Sequence, residues 1–204
     1  MARTSRKEKE QTHRRIVEKA SHAFRANGVR GTSIPAVMEE ADLTHGTFYA
    51  HFTSKDALVA EAYVRGLSET VDNLLHIAGE AAPGGGLDAV IEHYLSAQHR
   101  DNPAGGCLLP ALAGEVRRES PPVRHAFTTG INDYFERLGQ LIPKRNGDAD
   151  EDQALVLASG MAGAVLLARA VDDPELSDRI LRACRAFYTA AFATPPETSD
   201  HEND

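Results

Sequence analysis

The sequence predicts an all-α protein, with a small N-terminal helix-turn-helix domain and a larger helical body, about nine helices in total. Apolar residues recur at helical spacing from Ile16 onward. Clusters rich in Gly, Pro, Asn and Asp interrupt that pattern, which is typical of loops between helices. No stretch alternates apolar and polar residues for long enough to predict a strand, and no internal repeat is visible.

The first helix is predicted by one apolar stripe, whose members lie three or four residues apart or side by side: Ile16, Ala20, Ala23 and Phe24. Asn27-Gly28 then indicates a helix stop, because glycine readily adopts the left-handed conformation that closes many helices. The second helix is short, and we expect Thr32 to be its N-cap, with Pro35 in its first turn.

Only Asp42 and Leu43 separate the second helix from the next N-cap candidate, Thr44, so the turn between the two helices is short. A third helix is predicted over about residues 45–50, and Ser54 is the expected N-cap of a fourth. Two short helices joined by a tight turn and packed on a longer helix form a helix-turn-helix, which holds its second helix at a fixed angle. From periodicity alone, three packed helices with no ligand are an equally good interpretation.

Charge is distributed unevenly, which matters more than the net charge of −8. Residues 1–62 contain 10 Lys and Arg against 8 Asp and Glu, whereas residues 63–204 contain 12 against 22. An acidic body with a locally basic end is compatible with nucleic acid bound at one pole. The basic arm around Arg3, Arg6 and Lys7 either follows a phosphate backbone or is a solvated leader; the sequence leaves both open.

The segment Gly28–Leu58 resembles the DNA-binding region of the TetR family, and its most specific part is Gly46–Leu58 (GTFYAHFTSKDAL). The resemblance implies a cytoplasmic transcriptional repressor that binds a palindromic double-stranded operator as a homodimer and is released by a small-molecule effector. It also implies a DNA-binding domain over 1–60, an effector-binding and dimerisation domain over 61–193, and, with the acidic composition, a disordered tail over 194–204.

By the same resemblance, three residues that open the third helix face base edges: His45, Gly46 and Thr47. Three others contact phosphates: Tyr49, His51 and Lys55. Thr32 and Thr44 either reach phosphate as well or serve as caps only. The position of Ala50 is often aromatic or polar in the family, so one backbone contact is expected to be absent here.

The body is expected to hold an apolar or amphipathic effector between its middle helices. The candidate lining residues are Tyr94, His99, Cys107, Phe127, Tyr134, Phe135 and Met161. At helical spacing each of them is more often ordinary core. The stretch 105–113 resembles a subset of the family with a Gly-Cys opening to the sixth helix, some members of which respond to electrophiles or oxidants. Cys107 is therefore either a reactive thiol or, as we favour, a small buried residue.

The last two helices are the expected dimer surface. Residues 154–168 are apolar nearly all round, and a helix with that pattern must be covered on all sides. A four-helix interface with a two-fold mate would cover it. The candidate interface residues are Gly160, Gly163, Ala164, Leu181, Phe187 and Tyr188. A helix buried centrally in a monomer is the alternative.

Several classes of protein are disfavoured. Two cysteines cannot form a disulfide framework, the N-terminus lacks an apolar leader, and the longest apolar stretch, 15 residues, is short for a membrane span. We expect no metal site, no cofactor and no catalytic residues, because no phosphate loop, nucleophile elbow or paired ligand spacing is present. The remaining rivals are a small-molecule binding protein whose DNA head has lost function, and an activator or architectural DNA protein without an effector.

Overall fold

The computed structural model describes residues 2–143 and 151–192, with side chains from Arg6 in the first stretch and from Asp152 in the second. Within those ranges the chain forms ten helices and no strand, which confirms the all-α prediction. The helices are α1 (Ala2–Gly31), α2 (Ile34–Glu40), α3 (His45–Phe48), α4 (Lys55–Glu80), α5 (Gly86–Tyr94), α6 (Ala97–Asp101), α7 (Leu108–Val116), α8 (Pro121–Gly139), α9 (Glu151–Ala170) and α10 (Pro174–Phe192). The predicted tail, 194–204, lies outside the described residues.

The helix that sequence periodicity missed is α6. The segment after the glycine run reads as one helix, but α5 ends at Tyr94 and α6 begins after Ser96. The Ser96 hydroxyl accepts a hydrogen bond from the backbone N–H of His99 at 3.1 Å, which caps α6. A serine within an apolar pattern is a weak start signal, so the break became visible only in the structure.

Helix α1 continues past its predicted stop. Gly28 leaves the helical conformation, with φ 74° and ψ 160°, and a short helical stretch then runs to Gly31. The positive φ is the reason for glycine here, because a residue with a side chain rarely adopts it. The stop predicted at Asn27-Gly28 is therefore a kink that turns the chain toward α2.

Helices α1 to α3 and the start of α4 together form the head of the molecule, and the later helices form its body. The head has one apolar core, in which Phe24, Met38, Phe48 and Phe52 are buried. The 26 residues of α4 span about 39 Å and carry this core into the body without a break. In the body, α4 packs chiefly on α8, and α9 packs on α8 and α10. The division of the chain at residues 60 and 61 stays a prediction, since α4 runs across it.

Candidate nucleic-acid interface and effector cavity

The turn between α2 and α3 is held by backbone hydrogen bonds. The N–H of Asp42 donates to Glu39 O and that of Leu43 to Met38 O, both at 2.9 Å. Asp42 has a φ of 54°, a left-handed conformation that aspartate tolerates better than most residues. The turn therefore sets the angle of α3, as the helix-turn-helix interpretation requires.

Helix α3 is anchored on one side and open on the other. Phe48 is fully buried and its ring stacks on that of Phe52, with centroids 5.5 Å apart. On the open side lie the residues predicted to meet DNA bases: His45 and Gly46 are exposed and Thr47 is half-buried. A Cβ at Gly46 would meet only the hydroxyl of Thr44, at 4.0 Å, so this glycine is not required by packing.

Two polar contacts organise the open side of α3. Thr44 is the N-cap residue, as predicted, but its hydroxyl makes no cap hydrogen bond; it pairs with the hydroxyl of Thr47 at 3.0 Å. Tyr49 is 66% exposed, and its ring packs edge-on against those of His45 and Phe48. The phenol is thus held by aromatic contacts while its hydroxyl remains accessible to a ligand.

Thr32 is not the cap of α2, which corrects the sequence prediction. Its hydroxyl is buried and donates to the carbonyls of Gly28 and Ala23, at 2.8 and 3.2 Å. The cap is Ser33, whose hydroxyl accepts from the N–H of Ala36 at 3.3 Å. Thr and Ser are both good caps, so the sequence could not choose between adjacent candidates. Thr32 is only 4% exposed, so its hydroxyl stabilises the end of α1 through these two hydrogen bonds.

Lys55 is also engaged inside the head. Its ammonium donates to the carbonyls of Val29 and Thr32, both at 2.6 Å, and lies 6.0 Å from the centre of the Phe24 ring. These bonds connect the first residue of α4 to the last turn of α1 and to the residue that follows it. Lys55 was predicted to contact a phosphate; in the structure its ammonium cross-links the start of α4 to the end of α1.

His51, the remaining predicted phosphate contact, is half-buried beside α1. Its pKa is lowered by burial first and then by the nearby His13 and Lys9. His51 is therefore neutral near pH 7 and could offer a neutral N–H but no charge. On α1 itself, Arg6, Lys7 and Lys9 are exposed and helical, so the basic arm forms the first turns of this helix.

A cavity of about 320 Å³ lies where the head meets the body. It is lined by residues of α1, α4, α5, α6 and the loop before α7: His22, Arg25, Glu69, Thr70, Asn73, Leu74, His93, Tyr94, Gln98, His99, Asn102, Gly105, Gly106 and Cys107. Of the seven predicted effector residues, it brings together Tyr94, His99 and Cys107. Tyr134 and Met161 are fully buried in the core, and Phe127 and Phe135 pack against it.

His99 is the hub of this cavity and is 6% exposed. Its Nδ1 donates to the carbonyl of Tyr94 at 2.7 Å, and its Nε2 accepts the backbone N–H of Cys107 at 2.9 Å. A carbonyl can only accept and an amide N–H can only donate, so these two bonds specify the neutral tautomer protonated on Nδ1. Burial is the main cause that lowers the pKa of His99 to about 4, and Arg169 and His93 add to it.

Acidification should therefore destabilise the protein through His99. The folded chain keeps this ring neutral down to pH about 4, whereas the unfolded chain protonates it near pH 6.5. The stability is complete above pH 6.5 and is lost as the pH falls toward 4, by at most roughly 3 kcal/mol for this group. Urea unfolding across this range measures the loss.

The variant His99→Gln isolates that contribution. It should unfold more easily at neutral pH and lose less additional stability on acidification than the wild type. His51 and His93, whose pKa values burial also lowers, will leave a residual slope in both proteins. Identical pH dependences would contradict the assignment.

Cys107 is buried, and burial raises the pKa of its thiol, although the hydroxyls of Tyr94 and Thr70 and the N–H of Leu109 oppose the shift. Its sulfur accepts that N–H at 3.4 Å and so caps α7. The protonated thiol is the ground state, which favours the interpretation of Cys107 as a small buried residue over a reactive thiolate.

Sequence reasoning missed the polar contacts that join the head to the body. Arg25 on α1 donates through Nη1 to Gly106 O at 3.1 Å and through Nη2 to Glu69 at 3.3 Å. After the kink in α1, the N–H of Val29 donates to the carboxylate of Glu115 on α7 at 3.2 Å. The one available signal was Arg25 itself, a charged residue adjoining the apolar stripe of α1.

A second polar cluster connects α6 to the last two helices. Arg169 on α9 donates to the carbonyls of His99 and Arg100, at 2.9 and 2.8 Å. Arg100 in turn donates to Ser177 and Asp178 on α10, at 2.8 and 2.6 Å. His99 therefore stands between the head contacts of Arg25 and the contacts to α9 and α10.

Five of the seven exposed large apolar side chains among the described residues lie on the last two helices, on what we call the outer surface of α9 and α10: Leu155, Val156, Leu166, Leu167 and Phe187. Of the six predicted interface residues, Phe187 lies on this surface and a Cβ at Gly163 would enter open space. At Gly160 the hydroxyl of Tyr188 from the same chain occupies the space where a Cβ would lie. Ala164 and Leu181 are buried. The sequence prediction named small residues, and it did not name the four aliphatic side chains that the structure leaves exposed here.

Helix α9 is longer than the 15-residue apolar stretch that the sequence analysis judged short for a membrane span. Over Asp152–Ala170 it is long and apolar enough to cross a membrane, by length and composition only, and 39% of this stretch is buried. One such helix is weak evidence for a span, because an interface helix of a soluble protein has the same composition.

Two family models match the chain. The model for bacterial regulatory proteins of the tetR family matches residues 16–62, and the tetracyclin repressor-like C-terminal domain matches residues 85–184. The regulator TtgR of Pseudomonas putida and the probable regulator ArpR of the same species are each 38% identical over 74 residues. That stretch is 36% of this chain and spans about a third, 35%, of each relative.

Solved structures with the same fold cover nearly the whole chain. Reduced NemR of E. coli superposes with a TM-score of 0.74 at 22% identity, over 91% of this chain and 99% of NemR. A TetR-family regulator from Cytophaga hutchinsonii gives 0.71 at 19% identity, over 92% and 98%. At these identities the likeness concerns the fold.

Proposed function

Because this chain belongs to the TetR family of bacterial regulatory proteins, we propose that it is a transcriptional repressor that binds a palindromic operator as a homodimer. Relatives in this family are DNA-binding regulators rather than enzymes. The observation that carries the proposal is the exposed side of α3, which is anchored by the buried Phe48 and surrounded by polar side chains.

Contact with DNA is proposed to begin at α3. The side from Thr44 to Tyr49 enters the major groove, where Gly46 lets the backbone approach and Thr47 and His45 contact base edges. The Tyr49 hydroxyl and the N-terminal turns of α1 meet phosphates, which position the head without selecting a sequence. Thr32 is left out of this surface because its hydroxyl is satisfied internally.

Dimerisation is proposed to occur through the outer surface of α9 and α10. Five large apolar side chains are exposed on two adjacent helices, and such a concentration of exposed apolar side chains favours an interaction surface. A second copy would complete a four-helix interface across a two-fold axis and place two α3 helices about one DNA turn apart, roughly 34–36 Å. Because α9 packs its other side on α8 and α10, with Leu157 and Met161 fully buried there, lipid could not surround it; we favour a second copy and a cytoplasmic protein.

Release of DNA is proposed to follow from a shift between two arrangements of the heads. An effector in the body stabilises the arrangement whose α3 spacing does not match two successive major grooves. A change in the body would reach the head through two contacts, that of Arg25 with Gly106 and that of Val29 with Glu115.

The direct experiment is binding of the purified protein to the DNA upstream of its own gene, followed by footprinting. We expect a protected palindrome and an affinity that falls steeply as salt rises. A dimer that binds every duplex equally weakly at low salt would contradict the proposal and favour a binding protein whose DNA head has lost function.

Tyr49→Ala should weaken binding to all duplexes, by about 1–2 kcal/mol, because it removes a phosphate contact and leaves the base-reading residues in place. The side chain is 66% exposed, so the free energy of unfolding should stay nearly constant. Fluorescence anisotropy on operator and random DNA measures the loss. The matched variant Tyr49→Phe, which retains the ring and lacks only the hydroxyl, should show most of the same loss; full retention would place the hydroxyl away from phosphate.

Thr47→Ala should instead change which base pairs are preferred. Its hydroxyl and methyl group are proposed to contact base edges, so the loss, roughly 1–3 kcal/mol, should fall on the operator and spare random DNA. Selection from a randomised half-site measures the preference, with Thr12→Ala on α1 as a control outside α3. An unchanged preference would remove Thr47 from the base-reading set.

A further inference from the structure

The cavity between head and body is built around a buried guanidinium. The side chain of Arg25 is 3% exposed, and its Nε has no hydrogen-bond partner within the part of the chain that the structure describes. The hydroxyl of Tyr94, which also lines the cavity and is buried, faces the sulfur of Cys107. A buried polar group without a partner costs about 1–3 kcal/mol, so the Nε–H of Arg25 favours a ligand that can pair with it.

The unused part of Arg25 has a defined shape. Nη1 is occupied by Gly106 O, which leaves the edge formed by Nε and Nη2. Glu69 contacts only Nη2 of that edge, at 3.3 Å, and holds Arg65 more closely with its other oxygen, at 2.7 Å. Two parallel donors on one guanidinium edge match the two oxygens of a carboxylate. Glu69 therefore supplies half of what this edge can bind.

The charge around the cavity also favours an anion. Arg25 shares the carboxylate of Glu69 with Arg65, a half-exposed residue outside the lining, so Glu69 neutralises Arg25 only in part. The other described lining residues carry no carboxylate, and burial lowers the pKa values of His93 and His99, which keeps both rings neutral near pH 7. Amide side chains of Asn73, Gln98 and Asn102 add further donors, and Leu74 offers an apolar wall.

We propose that this cavity binds a small molecule bearing a carboxylate, which pairs in bidentate fashion with the Nε and Nη2 edge of Arg25. Glu69 then remains with Arg65. Binding itself does not depend on the proposed function; only its consequence does, because Arg25 also holds Gly106 and a ligand that turns the guanidinium would alter the joint between head and body.

Simple carboxylates provide the test. Full-length protein is titrated with benzoate, hexanoate and succinate by calorimetry and by NMR, with benzamide and benzylamine as the neutral and cationic counterparts of benzoate. At least one carboxylate should bind, and if it is benzoate, benzamide should bind roughly tenfold more weakly or not at all. No binding by any of the three at millimolar concentration would overturn the proposal.

Two variants should act in opposite directions. Arg25→Lys retains the charge but removes the two-pronged edge, and should weaken carboxylate binding roughly tenfold. Glu69→Gln removes the competing carboxylate and should strengthen binding about threefold or more. Arg30→Lys and Glu80→Gln, at exposed positions of α1 and α4, are the matched controls and should change nothing. Because Glu69 is only half-buried, its variant should fold even if Arg25→Lys does not; unchanged or weaker binding by Glu69→Gln would overturn the proposal.

Operator release is measured separately. A carboxylate that binds wild-type protein and leaves the operator complex intact would support the site and contradict its role in regulation. An operator complex that forms normally in a protein that binds no carboxylate would support the DNA function and reject this site.

Discussion

Leu167→Glu should convert the protein from a dimer to a monomer. Leu167 is 57% exposed on the outer surface of α9, beside Leu166 in the chain and about three helical turns from Val156 on the same side of the helix. Burying a leucine side chain contributes about 1.5–3 kcal/mol, and a two-fold interface contains each residue twice. The substitution removes both contributions and brings two carboxylates into an apolar interface, so the dimer dissociation constant should rise roughly hundredfold or more. Analytical ultracentrifugation measures it.

Operator binding should fall with the dimer, because a single head contacts one half-site only. The matched control is Val64→Glu, which places the same charge at an exposed aliphatic position on α4, away from α9 and α10. It should remain dimeric. If Leu167→Glu sedimented as a dimer at low micromolar concentration, another surface would have to form the interface, and the outer surface of α9 would need a different explanation.

Lys55→Met should destabilise the head. The ammonium donates to two carbonyls at 2.6 Å, and a hydrogen bond to a charged group contributes a net of about 1.5–3 kcal/mol, although two bonds of one group do not add in full. We expect the free energy of unfolding to fall by roughly 2–4 kcal/mol, since Lys55 is half-buried and methionine fills similar space. Urea unfolding measures it, and operator affinity should fall because α2 and α3 lose their support.

The salt dependence of DNA binding distinguishes this cross-link from a phosphate grip. Each phosphate contact contributes about −0.9 to the slope of log affinity against log salt. Lys55→Met should leave that slope unchanged, whereas Lys9→Met, at an exposed position of α1, should reduce it by up to about 0.9 and leave stability unchanged. A lower slope with full stability for Lys55→Met would restore the role that the sequence alone had indicated.

Local patterns predicted most of the head. The stripe from Ile16 to Phe24 lies in the core, Ser54 caps α4 with its hydroxyl 3.1 Å from the N–H of Ala57, and the turn at Asp42 is as short as the spacing required. Each of these signals involves residues within a few positions of one another. Caps, turns and helix periodicity are short-range effects, and for that reason a single sequence carries them.

Side-chain roles that depend on a distant partner were less predictable. Lys55 was expected to contact phosphate, and Thr32 either to do so or to serve as a cap only. In the structure the hydroxyl of Thr32 donates to carbonyls of α1, and the ammonium of Lys55 donates to the carbonyls of Val29 and Thr32. Both residue types suit either task, since a hydroxyl or an ammonium pairs with phosphate as well as with a carbonyl. Whether such a group contacts a carbonyl of the fold or remains free for a phosphate depends on how the helices of the head pack together.

The body shows the same limit. Composition predicted that the last two helices carry an apolar surface. The absence of a side chain at Gly160, however, makes room for the hydroxyl of Tyr188 of the same chain. The exposed aliphatic residues of α9 were not named by the sequence prediction. The cavity at Arg25 joins α1 to residues up to 82 positions away along the chain, at Cys107. Periodicity shows which side of a helix is buried, but it does not show which helix covers that side. The covering helix is decided only when helices that are distant in the chain pack together.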